Sequence, residues 1–120
     1  MTLADQLEML RSTLSNCQLV AFGDAEARLI LKASHAMSLP RETLDHLCEE
    51  ATTCFATADM LGAQGASANE ALVLTERESR VYLRANNRTD FLCVVSALSE
   101  DTDAVTAQGL RALHEIAGAA

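Results

Sequence analysis

The chain has 120 residues, a formal net charge of -8 at pH 7, 49% hydrophobic residues and only 3% aromatic residues. This length suits a single domain, residues 1–120, that can bury its own core, and the hydrophobic fraction argues against a disordered chain. Nucleic acids and anionic membranes bind clustered Lys and Arg, so the acidic balance excludes both as favoured partners and points to a protein with a basic patch. No apolar run is long enough to insert into a membrane.

The first part of the chain predicts a short amphipathic helix followed by a hairpin. Thr2 and Asp5 match a capping box. Apolar residues then recur at helical spacing, at Leu3, Leu7, Leu10 and Leu14. Because no basic region precedes an apolar segment, this start is not typical of a secretory signal, and we expect a cytoplasmic protein. Residues 17–23 and 28–34 are apolar runs of strand length with four residues between them, the pattern of a β-hairpin.

The middle of the chain predicts one long helix. Pro40 fits its first turn, where a missing N–H is tolerated, and Gly62 and Gly65 supply a left-handed stop. From residue 51 to residue 62 the only charged side chain is Asp59. An exposed helix normally carries Lys and Glu at such positions, so this surface predicts burial, either in the chain's own domain or against a partner.

Residues 70–98 predict three consecutive antiparallel strands with two polar turns. Alternation in residues 80–85 places Val81 and Leu83 on one face, with Arg80, Tyr82 and Arg84 on the other, which is typical of a half-buried strand. Residues 91–95 are continuously apolar and predict an interior strand with helices above and below the sheet.

A final helix is predicted after the third of these strands. Residues 99–103 combine capping side chains with negative charge, which favours a helix amino end. An apolar stripe follows, and Gly109 within it predicts a close approach to the sheet, because Gly costs about 1 kcal/mol relative to Ala inside a helix. The fold class is therefore α/β of the α+β kind, a five-stranded antiparallel sheet between helices in the order helix-strand-strand-helix-strand-strand-strand-helix.

The sequence contains no residues that indicate catalysis. Phosphate-binding loops of the GxxxxGK[ST] and GxGxxG types are missing, as is the GxSxG nucleophile motif, so we expect neither an enzyme nor a cofactor. The adjacent acids Glu49 and Glu50 read as a solvated helix surface. No cysteine belongs to a CxxC pair, and His46 and Cys48 face different ways on a helix, which predicts reduced structural thiols and no metal site.

The order of elements resembles the roadblock family, the dynein light chain roadblock-type domains with bacterial relatives and a profilin-like architecture. Three segments carry the resemblance: QLVAFGDAEARLILKAS, LDHLCEEATTCFATADMLGA and EALVLTERESRVYLRANNRTDFLCVVSAL. It extends from about Leu3 to Ile116. One departure is Ala27, where relatives often carry Gly in the turn between the first two strands.

The resemblance implies a homodimer, or a dimer with a paralogous roadblock protein. In the family, the long helix pairs with its symmetry mate, and the following strand, here residues 70–75, pairs across the same two-fold axis into one continuous sheet. The predicted dimer-interface residues are Leu47, Cys54, Leu61, Leu72, Val73 and Leu74. Family members are non-catalytic scaffolds or regulators that bind Ras-like small GTPases or assemble into larger complexes.

A helical projection of the long helix leaves one row of residues facing outward. The predicted partner-binding residues in this row are Asp45, Glu49, Thr53, Ala56 and Met60. The row is acidic at its start and apolar at its end, and such a surface could receive a hydrophobic patch with a basic rim.

Two other functions stay open at this point. A small acidic chaperone of a secretion system has similar size and charge and would hold a client protein, but three strands usually precede the middle helix in those proteins, whereas two do here. A thiol-based redox sensor would need an exposed cysteine of lowered pKa, and only Cys54 is eligible.

Overall fold

The computed structural model describes residues 2–36, 39–61, 69–85, 89–98 and 101–118. The elements in chain order are α1 (Leu3–Thr13), β1 (Cys17–Asp24), β2 (Leu29–His35), α2 (Arg41–Leu61), β3 (Glu70–Leu74), β4 (Glu78–Arg84), β5 (Asp90–Ala97) and α3 (Thr102–Gly118). This order confirms the fold class predicted from the sequence. The predicted stop of α2 at Gly62 and Gly65 lies outside the described residues.

The five strands form one antiparallel sheet in the order β2-β1-β5-β4-β3. The middle strand, β5, is apolar on both faces, and none of residues 91–95 is more than 5% exposed. Helices α1 and α3 cover one face of the sheet, and α2 covers the other. The prediction of an interior strand between two helical layers is therefore confirmed.

Helices α1 and α3 begin at capped ends and bury leucine and valine side chains on their shared face. Thr2 Oγ1 accepts from the Asp5 N–H at 3.2 Å, and the Asp5 carboxylate accepts from the Thr2 N–H at 3.2 Å, which confirms the capping box. Asp101 Oδ1 accepts from the N–H of Asp103 at 2.9 Å and so caps α3.

Gly109 is the point where α3 comes nearest to the sheet. A Cβ atom at this position would lie 2.5 Å from Leu83 Cδ1, and Leu83 is itself fully buried. The close approach that the sequence predicts at Gly109 is confirmed.

In the turn between β1 and β2, Arg28 has a left-handed backbone conformation, with φ 57. Arg28 directly follows Ala27, the position at which this sequence departs from the family pattern. Asp24 Oδ1 stabilises the turn by accepting from the N–H of Glu26 at 2.9 Å and the N–H of Ala27 at 3.3 Å. As a result β2 begins at Leu29, one residue later than the apolar run suggests.

The other face of the sheet is covered by α2 alone. Leu47, Cys48, Ala51 and Phe55 pack there against Tyr82, which has no exposed surface. The prediction that β4 is half-buried is wrong for this reason: the alternation assigns the side chains to faces correctly, but α2 covers the polar face as well.

Two arginines of β4 hold α2 on the sheet. Arg80 Nη1 donates to Glu50 Oε2 at 2.7 Å, and its Nε donates to Glu78 Oε2 at 2.9 Å. Tyr82 Oη donates to Glu50 Oε1 at 2.6 Å. Arg84 pairs with Asp59, and its guanidinium carbon lies 4.5 Å from the centre of the Phe55 ring.

These contacts fasten α2 at two points nine residues apart, at Glu50 and at Asp59. The interpretation of Glu50 as a solvated surface charge is wrong, because its carboxylate has an arginine and a tyrosine as partners. Burial and the hydrogen bond to Glu50 raise the pKa of Tyr82 above its ordinary value, so the phenol stays a donor at neutral pH.

We predict that Gly109→Ala destabilises the fold by about 1 kcal/mol, because overpacking against Leu83 outweighs the gain in helix propensity. Urea unfolding measures the change. In a Leu83→Val background, which removes the opposing methyl group, the same substitution should be neutral or stabilising. An equal cost in both backgrounds would contradict the close-approach explanation.

We also predict that Arg80→Met destabilises the fold more than Arg84→Met does. Arg80 and Glu50 keep only 16% and 21% of their side-chain surface exposed. Removing the guanidinium leaves the carboxylates of Glu50 and Glu78 without the cation that neutralises them, at a cost of about 2 kcal/mol. Asp59 is 52% exposed, and solvent screens its pair with Arg84, so that loss should stay below about 1 kcal/mol. Thermal or urea unfolding of both variants tests the order, and a larger loss for Arg84→Met would refute it.

Candidate interaction surfaces

The outward face of α2 is one candidate site. The five residues predicted to bind a partner are all exposed, and Met60 is 80% exposed. They are Asp45, Glu49, Thr53, Ala56 and Met60. The ion pairs of Arg80 with Glu50 and of Arg84 with Asp59 join α2 to the sheet, so this row lies on a helix attached to the sheet and not on a loop.

Charge and hydrophobicity are separated along this row. The carboxylates of Asp45 and Glu49 lie in the first half of α2, whereas Ala56 and Met60 lie in its last two turns. Leu61 adjoins Met60 and is 83% exposed. The carboxyl end of α2 therefore offers apolar surface, and the amino half offers negative charge.

The three predicted interface residues of α2 differ widely in how much of their surface is exposed. Leu47 is 4% exposed and packs in the chain's own core, so almost none of its surface is left for a partner. Cys54 is half-buried, and Leu61 projects from the last turn. On α2, the interface prediction therefore rests on Cys54 and Leu61.

The predicted interface residues of β3 lie at one edge of the sheet. Leu72 is 50% exposed and Leu74 is 62% exposed, while Val73 is half-buried on the face covered by α2. The Thr75 N–H donates to the Glu78 carbonyl at 3.0 Å, and the Arg84 N–H donates to the Asn69 carbonyl at 2.9 Å.

The hydrogen-bonding pattern of β3 follows from these two contacts. In an antiparallel pair, alternate residues bond to the neighbouring strand, so the odd-numbered residues of β3 bond to β4. Glu70, Leu72 and Leu74 consequently direct their N–H and C=O groups toward the edge of the sheet. This edge carries exposed leucines and has no Lys, Pro or register shift.

The opposite edge, β2, also carries exposed leucines, Leu29 and Leu31, but it has a register shift and a lysine. The pairing of β1 with β2 shifts between Phe22, which faces Lys32, and Gly23, which faces Ile30, so Leu31 is an extra residue in β2. Lys32 is exposed on this strand. A bulge and a lysine both oppose strand addition, so β2 is a guarded edge and β3 is not.

The surroundings of Cys48, Cys54 and Cys93 disfavour the thiolate form. Burial raises the pKa of the Cys54 thiol, and the nearby Glu50 carboxylate raises it further. Burial also raises the pKa of Cys48 and of Cys93. A redox sensor needs the opposite shift, toward thiolate, so these environments argue against the redox alternative.

Within the described ranges, no group of three or more His, Cys, Asp and Glu side chains is arranged to hold a metal ion. None of the helices in the described part of the chain has the length and hydrophobicity needed to cross a membrane.

Solved structures with the same arrangement identify the fold. No family model matches this sequence, and comparison with curated proteins finds no match. A Roadblock/LC7 domain from Streptomyces avermitilis superposes with a TM-score of 0.82 at 12% identity, over 98% of this chain and 97% of that one. MglB in a tetrameric arrangement gives 0.75 at 21% identity, over 94% of this chain and 83% of that one. The gliding protein MglB from Thermus thermophilus gives 0.71 at 21% identity, over 97% of this chain and 88% of that one. The chain therefore has the roadblock/LC7 fold.

Proposed function

We propose that this protein is a non-catalytic dimeric scaffold or regulator that binds a Ras-like small GTPase. The observation that carries the proposal is the exposed face of α2, acidic in its first half and apolar at its end, where Met60 and Leu61 are 80% and 83% exposed. Exposed Met60 and Leu61 side chains do not stabilise an isolated domain. A partner with a hydrophobic patch and a basic rim would bury them and gain binding energy from that burial.

Dimerisation through β3 is the first part of the proposal. The outward N–H and C=O groups of Leu72 can pair with those of a second copy across a two-fold axis, which would join two sheets into one. The carboxyl end of α2 leads to this strand, so Leu61 would lie near its symmetry mate. Because β2 is guarded by Lys32 and a bulge, β3 is the favoured edge.

Binding of a small GTPase is the second part, and it rests on the roadblock resemblance together with the fold. The proposed dimer presents two copies of the outward row of α2 on one side of the joined sheet. The acidic half would raise the rate of encounter with a basic rim, and the apolar end would slow dissociation. We place this activity in the cytoplasm.

The chaperone alternative has less support. Two strands precede α2, and the sheet with its three helices superposes on a Roadblock/LC7 domain over nearly the whole chain. The structure of MglB in a tetrameric arrangement is that of a similar fold in an oligomer, which favours assembly as a property to test in this chain.

We predict that the purified protein has a solution mass of twice 12.9 kDa by light scattering at micromolar concentration. Leu72→Pro removes an N–H that points away from β4, so it should spare the fold and raise the dimer dissociation constant about tenfold or more. Leu72→Thr keeps that N–H and serves as the matched control. A monomeric wild-type chain would refute the dimer.

We predict that the double substitution Ala56→Arg with Met60→Glu abolishes binding of a small GTPase and leaves the dimer intact. The GTPase is identified by affinity capture and mass spectrometry, then titrated as a purified protein in its GDP-bound and GTP-analogue-bound forms. Charged groups in the apolar half of the row would be buried without partners in the complex, which explains the loss.

The matched control places the same two changes elsewhere. Met9 and Ala104 are exposed on α1 and α3, so Met9→Glu with Ala104→Arg alters the charge equally on the opposite side of the sheet. Binding should survive in this variant. Equal binding by both double variants would show that the outward row of α2 is not the contact surface, and capture without any small GTPase would contradict the proposed partner class.

A further inference from the structure

Among the residues that the structure describes, strand β3 has no helix packed on it on the side of α1 and α3. Helix α1 packs against β1 and β2, and α3 packs against β4 and β5. Leu72 pairs with Val81, and Leu74 pairs with Ser79, so both leucines stand on this side of the sheet. They are 50% and 62% exposed, and none of the three helices in the described ranges lies over β3 on this side.

An open groove of about 540 Å³ lies between β3 and α3. Its apolar floor and wall come from Leu72, Val81, Ala107 and Leu110, and the carboxylates of Glu70 and Asp103 lie along it. The described residues that line the groove include no Lys or Arg. The groove therefore combines a hydrophobic floor with an acidic rim, which complements an apolar surface flanked by cations.

Pairing of β3 across a two-fold axis would not cover these leucines. Strand pairing uses the backbone groups at the edge, whereas Leu72 and Leu74 project from the face of the sheet. In the joined sheet, α3 and its mate would lie about four strand spacings apart, roughly 19 Å. Packed helices keep about 8–10 Å between their axes, so one further helix fits between the two.

We propose that this groove binds an amphipathic helix of a partner protein, with apolar residues on one face and Lys or Arg on its flanks. One such helix binds per dimer and completes the helical layer over β3 and its symmetry mate. The groove itself is a feature of the single chain, and only the ratio of one helix to two chains rests on the β3 pairing of the proposed function.

A synthetic helical peptide of about 18 residues tests the proposal, with Leu on one face, Lys on the flanks and a fluorescent label. Its affinity for the full chain is measured by anisotropy. Ala107→Arg puts a cation and added bulk into the groove and should weaken binding about tenfold or more, whereas Ala104→Arg, outside the lining of the groove, should change it by less than about twofold. Equal weakening by both variants would overturn the site.

Charge specificity is tested with the same peptide carrying Glu in place of Lys, which should bind about tenfold more weakly or worse. Equal binding of the two peptides would overturn the basic-helix assignment. If the chain forms assemblies larger than the dimer and Ala107→Arg abolishes them, a second copy of the chain occupies the groove. That result would overturn the proposal that a partner helix binds there.

Stoichiometry separates this proposal from the dimer. One peptide bound per two chains supports the shared groove. One peptide per chain would retain the groove but overturn the ratio, and with it the β3 pairing. A chain that is dimeric by light scattering and yet fails to bind the Lys peptide would overturn the groove while leaving the proposed function intact.

Discussion

Three helices must cover both faces of a five-stranded sheet, and this constraint determines which surfaces the chain leaves in water. Strands β1 and β5 are apolar on both faces. They therefore occupy the interior of the sheet, where helices pack on both faces. A helix covers about two strands, because its diameter is about twice the strand spacing. The cover over β3 is therefore incomplete, and Leu72 and Leu74 remain exposed.

The face covered by a single helix depends on charge as well as packing. Within the described part of the chain, α2 packs on the sheet without a second helix beside it, and the ion pairs of Arg80 and Arg84 restrain its direction from the sheet. The carboxylate of Glu50 is shared between Arg80 and Tyr82, which ties its position to a fully buried aromatic side chain. A helix fixed in this way presents its outer row with little loss of conformational freedom on binding.

The sequence predicted the elements well because each carries a local signal. Alternation and continuous apolar runs distinguish β4 from β5, a capping box marks α1, and Gly109 marks the nearest approach of α3. Strand order was not predictable in this way, because it depends on which strands pair. The burial of the Arg80 face was missed for the same reason, although an Arg-Tyr-Arg alternation opposite a helix with Glu50 and Asp59 was a usable signal.

The candidate site was predictable only in part. A helical projection assigns Leu47 and Leu61 to the same stripe, yet Leu47 is 4% exposed and Leu61 is 83% exposed. Projection describes direction around the helix axis and ignores position along it. Helix α2 has 21 residues and is about 31 Å long, whereas strands β1 and β5 have eight residues each, about 26 Å. The groove beside α3 had no local signal, because it forms from β3 and α3, which are distant in the sequence.

The contrast between the two sheet edges also limits how far an assembly of this chain can grow. If both edges accepted strands, β2 of one copy could pair with β3 of the next, and such head-to-tail pairing would extend into an open filament. The extra residue Leu31 and the cation of Lys32 make β2 a poor acceptor. In the proposed dimer, pairing through β3 would occupy this edge on both copies at once, so growth of the sheet would stop at a closed pair rather than continue into a fibre.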